Sequence, residues 1–197
     1  MRQNIEQRLA RRQRSLGAIS LHLLTMLCSI LAGASISHAE GNAITLLGIY
    51  SHVESGDGGE HCNGYDVELW NHDGSFIGLI NHHRGLCGDA PAGLLEDVSY
   101  DSRTGALSFR AKLTDGWAGR NLSEPTKDII VFRGVLAKSE LKGTICWTTP
   151  VTVRCLREET ISLPRMQDSS WAGKSYATYE EWKKAQEPIL QFRGPRW

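Results

Sequence analysis

Ala106-Leu107-Ser108-Phe109-Arg110-Ala111-Lys112-Leu113 alternates without a break, with Leu107, Phe109, Ala111 and Leu113 on one side and Ser108, Arg110 and Lys112 on the other. Successive side chains of a strand point to opposite faces, so this stretch reads as a strand with one buried and one wet face. Such alternation is the pattern of an antiparallel sheet. Tyr65-Asp66-Val67-Glu68-Leu69 alternates in the same way. Further strands are expected at 44–51, 76–81, 94–100, 129–136, 141–147 and 151–157.

The links between these strands carry turn chemistry. Asn71-His72-Asp73-Gly74 offers a glycine able to take the positive φ of a tight hairpin. Asp101-Ser102-Arg103-Thr104-Gly105 is a second such signal, and Ala137-Lys138-Ser139-Glu140 a weaker third. About eight short strands at near-regular spacing predict an all-β chain, an antiparallel up-and-down barrel with a sandwich as the alternative. Closure is expected because it removes exposed edges.

Outward from this region the composition changes twice. Residues 164–197 form a tail: a loop to about Lys174, then a short helix with Thr178 as N-cap and Glu181 reaching back. Pro188 is expected to end that helix after about Gln186. Trp171, Tyr176, Tyr179, Trp182, Ile189, Leu190, Phe192 and Trp197 make the tail apolar enough to pack on the barrel of residues 40–163.

At the other end, Arg2, Arg8, Arg11, Arg12 and Arg14 precede an apolar run from Ile19 to Ile36, and Ser37-His38-Ala39 supplies small residues for cleavage. This order marks residues 1–39 as a secretory signal peptide rather than a retained anchor. It leaves no membrane span and an extracytoplasmic protein, periplasmic or secreted. Cys28 follows Leu27 rather than a small residue, so it is not read as a lipidation site. Removing five arginines and one glutamate from 22 basic and 22 acidic residues leaves 17 and 21, a net charge of −4. No basic block remains, which speaks against nucleic acid and anionic membranes as partners.

In an exported chain Cys62, Cys87, Cys146 and Cys155 read as two disulfides. Folding the chain symmetrically about Pro150-Val151 sets Cys146 opposite Cys155, which leaves Cys62 for Cys87. With no C-x-x-C pair, thiolate metal binding is disfavoured.

Chemistry-bearing residues cluster in one place. Beyond the leader, the five histidines His52, His61, His72, His82 and His83 fall within 32 positions, with Glu54, Asp57, Glu60 and Asp89 in the same segments. No cofactor motif is present. A divalent metal held by His61, His82, His83 and Asp89 is the candidate site of this kind, although adjacent His82 and His83 point to opposite faces of a strand. His72, at a hairpin tip, is expected to be solvent-exposed.

No G-x-S-x-G, H-E-x-x-H or phosphate-cradling loop occurs. Gly48-Ile49-Tyr50 is similar to the G-x-W opening of lipocalins, with tyrosine for tryptophan, a match of three residues that assigns no family. What it implies is a barrel holding one small apolar ligand.

Three functions follow. The first is a non-enzymatic exported binding protein, its small-molecule ligand in the barrel mouth or the 52–62 and 82–91 loops, contacted by Tyr50, Tyr65 and Trp70. The second is a secreted inhibitor or interaction module with an extracytoplasmic protein partner. The third is a metal-dependent hydrolase using the His52–His83 cluster.

Overall fold

The computed structural model describes residues 43–167 and 173–197. The expected leader, with Cys28, and Trp171 lie outside the described residues. All eight expected strands form, several longer than the alternation alone marked: β1 (Ile44–Gly56), β2 (His61–His72), β3 (Ser75–Leu86), β4 (Ala92–Asp101), β5 (Ala106–Leu113) and, after two-residue strands β6 (Trp117–Ala118) and β7 (Glu124–Pro125), β8 (Asp128–Leu136), β9 (Glu140–Thr149) and β10 (Thr152–Pro164). β11 (Ser175–Tyr176) and one helix, α1 (Tyr179–Arg193), follow.

The main sheet is an antiparallel nine-stranded meander in the order β10-β9-β8-β5-β4-β3-β2-β1-β11, with β6 and β7 forming a separate ribbon. β4 is its corner. Leu94 to Ala92 pair with β3, while Leu95 to Asp101 pair with β5, so the sheet splits into two halves that face one another. The meander does not close into the barrel expected from the hairpin rhythm. Among the described residues β1 and the chain just after β10 meet at a single bridge between Tyr50 and Arg165, and the sandwich alternative fits. Pro164, beside that bridge, has no N–H with which to extend the ladder.

The turns follow their sequence. Asp73 and Gly74 take φ of 51° and 78°, the paired positive angles that join β2 to β3 in a two-residue hairpin. Asp101 caps the β4–β5 loop: its carboxylate accepts the Arg103 N–H at 2.9 Å and the Thr104 hydroxyl at 2.8 Å.

The two inward faces are filled by side chains, among them Val67, Leu69, Ile80, Leu107, Phe109, Leu113, Ile130, Phe132, Leu141 and Ile145. Phe109 and Phe132 stack at 4.9 Å. Gly134 and Gly143 stand opposite each other on β8 and β9, beneath the Phe132 ring. A Cβ on either would come within 2.6 or 2.9 Å of that ring, so the aromatic packing requires both glycines.

α1 lies on a second, smaller core of Ile44, Trp70 and Trp182, bordered by Ile77, Leu94 and Tyr179. Thr178 Oγ1 caps the helix by accepting the Glu181 N–H at 3.2 Å, and Glu181 reaches back as expected, though its Oε2 accepts the Ala177 N–H at 3.0 Å, one residue before the N-cap. Pro188 does not end the helix, which runs on to Arg193. Both Pro188 and Lys184, whose carbonyl loses its helical partner, lie on the exposed side of the helix.

Both disulfides pair as expected, with Cα–Cα distances of 4.7 Å for Cys62–Cys87 and 5.4 Å for Cys146–Cys155. The symmetric hairpin does not hold, however. Thr149 faces Thr152, but the register then shifts so that Trp147 faces Arg157, and Cys155 reaches Cys146 from the bulged stretch.

Candidate functional site

The histidines are dispersed onto separate carboxylates rather than gathered. His82 Nδ1 donates to Asp115 Oδ1 at 2.9 Å, and His83 Nε2 to Asp66 Oδ2 at 2.7 Å. His61 Nδ1 lies 3.4 Å from Asp57 Oδ2, and His52 Nε2 3.4 Å from Glu54 Oε1. The strand pleat sends His82 inward and His83 to the outer face, as their adjacency demands. Among the described residues no three His, Cys, Asp or Glu side chains gather as a metal site needs. His72 is not simply solvent-facing at its hairpin tip; its ring stacks on Tyr179 of α1 at 5.6 Å.

Of the aromatic candidates, Tyr50 and Tyr65 face the main core and Trp70 is sealed beneath α1. Tyr65 anchors an internal polar chain. Its hydroxyl donates to Glu159 Oε2 at 2.8 Å and accepts the Trp147 Nε1–H at 3.2 Å. Burial, then the Glu159 carboxylate, pushes its phenol far above the usual range, so it stays a donor. Arg157 completes the group, 2.7 Å from Glu159 and stacked 4.6 Å over the Trp147 ring. The His82 ring lies on Tyr65 at 4.8 Å and against the edge of Trp147 at 4.7 Å.

On the far side of His82 a cleft of about 190 Å³ opens. Asp89 and Pro91 from the β3–β4 loop, Thr114–Trp117 after β5, and residues Phe192–Gly194 and Arg196 of the tail line it, with Arg84 of β3. Asp115 is its fixed point. Besides His82, its carboxylate meets Arg84 Nη1 at 3.5 Å, and its N–H donates to Asp128 Oδ2 at 3.1 Å. Its side chain is 11% exposed, so this carboxylate is held chiefly by His82 and Arg84 rather than by water.

The tail is tied over the cleft. Arg193 Nη2 donates to Gly88 O at 2.7 Å, the Arg196 N–H to Thr114 Oγ1 at 3.0 Å, and Trp197 Nε1–H to Leu113 O at 2.8 Å. The Arg196 guanidinium lies 5.5 Å from the ring centre of the exposed Trp117. Three guanidiniums therefore border the cleft against two carboxylates, Asp89 and Asp115, beside the exposed rings of Trp117 and Phe192.

Of the residues singled out from sequence, Asp89 and Phe192 line this cleft and His82 lies behind Asp115, and the 82–91 loop expected to hold a ligand also contributes Pro91. Asp115, Arg84, Trp117, Arg193 and Arg196 were not legible as a site. The one available signal was parity: Arg84 falls two residues after His82, hence on the same side of β3.

Compared with family models, curated proteins and solved structures, the chain gives no significant match.

Proposed function

We propose that this is an extracytoplasmic, non-enzymatic binding protein whose ligand is a small organic anion held in the Arg84–Asp115–Arg196 cleft. One observation carries the reading. Asp115 is already engaged by His82 and Arg84, yet Arg193 and Arg196 border the same cleft, leaving guanidinium donors in excess of carboxylates. Planar guanidinium forks suit carboxylate and phosphate oxygens, and the rings of Trp117 and Phe192 offer an apolar wall. The tail hydrogen bonds fix the Arg193 guanidinium and the Arg196 main chain before any ligand arrives, which lowers the ordering cost of binding. The two disulfides favour an oxidising compartment, in keeping with the expected leader. No helix among the described residues is long and apolar enough to cross a membrane.

The test is a thermal-shift and calorimetric titration with benzoate, citrate and inorganic phosphate. Saturable stabilisation by at least one anion is expected, reaching about 2.7 kcal/mol at roughly a hundredfold excess over Kd. Arg84→Gln and Arg196→Gln should each weaken it. An unchanged melting temperature with all three anions argues against the reading.

A further inference from the structure

We infer that the open seam between β1 and β10 is a binding site for an extended peptide segment of another protein, which adds to the sheet as a strand with a basic residue at its outer end. Beyond the Tyr50–Arg165 bridge the two strands part, and among the described residues no ladder joins His52–Gly56 to Thr152–Pro164. β1 pairs with β11 only at Ile44 and Thr45, so among the described residues His52–Gly56 pair with β2 alone and β10 with β9 alone, and each turns an unpaired backbone edge toward the gap. Between them lies a groove of about 530 Å³ lined by His52, Gly64, Tyr65, Thr160–Pro164. Its floor is apolar: Ile161, Leu163 and the Tyr65 ring belong to the main core.

The chemistry of the occupant follows from these walls. Unpaired N–H and C=O groups on facing edges select an extended backbone, which satisfies them by strand addition. The floor selects apolar side chains at alternate positions, the period at which a strand's residues share a face. Glu54 and Glu158, exposed beyond His52 and Thr160 at the end away from the bridge, select a lysine or arginine there. Pro164 keeps the protein from closing the seam on itself at its narrow end.

The probe is a short capped peptide alternating valine with threonine and carrying a terminal lysine, compared with a copy N-methylated along one edge. Amide hydrogen exchange of the disulfide-intact full-length protein is followed with each. The expected result is slowed exchange at His52–Gly56 and Thr160–Leu163 with the first peptide, and loss of that protection with the N-methylated one. Exchange unchanged at both edges, or slowed equally by both peptides, overturns the inference. Protection that grows with protein concentration in the absence of peptide assigns the seam to a second copy of the chain and overturns it as well.

Discussion

His82 and Tyr65 face each other across β3 and β2, their rings stacked 4.8 Å apart, and each spends its polar end on a different carboxylate. His82 turns to Asp115 at the cleft, while Tyr65 turns to Glu159 beside the seam. Tyr65 lines the seam groove, and His82 stands behind Asp115 of the cleft. Tyr65→Phe would keep the stack but strip the hydroxyl from both Glu159 and the buried Trp147 indole. Leaving such groups unpaired costs about 1–3 kcal/mol. A urea denaturation midpoint lowered accordingly is expected; an unchanged midpoint would show that the hydroxyl contributes nothing.

The disulfides should differ in worth because they close loops of different length. Cys146–Cys155 spans 9 positions and Cys62–Cys87 spans 25. On chain entropy alone, removing them costs about 2.5 and about 3.5 kcal/mol respectively. Paired Cys→Ser variants measured by denaturant titration should fall in that order; the reverse order would contradict the loop-length account.

Two carboxyls on the outer face of β2 give opposite pH dependences. Burial pushes Glu68 up, offset only in part by the Trp70 indole and Lys174. Burial acts on Asp66 too, but hydrogen bonds from His83 and Ser51 outweigh it and hold Asp66 below its usual value. A raised native pKa contributes stability that is full below the unfolded value and is lost as pH rises through the native one. A depressed native pKa contributes above the unfolded value and is lost as pH falls through the native one. Glu68→Gln should therefore flatten the stability loss on raising pH above the ordinary carboxylate range, and Asp66→Asn the loss on lowering it. Stability curves of either variant running parallel to the parent across pH 2–7 would contradict the assignment.

Pro188 offers a gain rather than a loss. It sits inside α1 on the solvent side, where it removes one backbone hydrogen bond. Pro188→Ala should stabilise the protein by about 1 kcal/mol, less than the roughly 3 kcal/mol of a fully buried break, because the break lies on the exposed side of the helix. A lower melting temperature would mean that Pro188 itself helps seat Phe192–Arg196.

The strands were legible because their signals are local: the alternation of Ala106–Leu113, the Asp73-Gly74 turn and the Thr178–Glu181 cap act within a few residues. Closure was not legible, since it depends on whether β1 and β10 align after a corner at β4, a long-range outcome that no single segment encodes. The cleft was hidden for a related reason. Asp115 follows a strand whose alternation ends at Leu113, and Arg193 and Arg196 lie beyond a proline that reads as a helix stop. The histidine cluster misled in the opposite direction, because nearness in sequence placed five imidazoles in one region while the pleat divided them between faces.

The most direct test of the central claim is an NMR titration of the disulfide-intact protein with benzoate, following arginine Nε–H resonances and backbone amides together. Saturable shifts confined to Arg84, Asp115–Trp117 and Phe192–Arg196, needing a higher benzoate concentration in Arg196→Gln, are the expected result. Shifts that never saturate, or that centre away from these residues, would contradict a ligand site at Asp115.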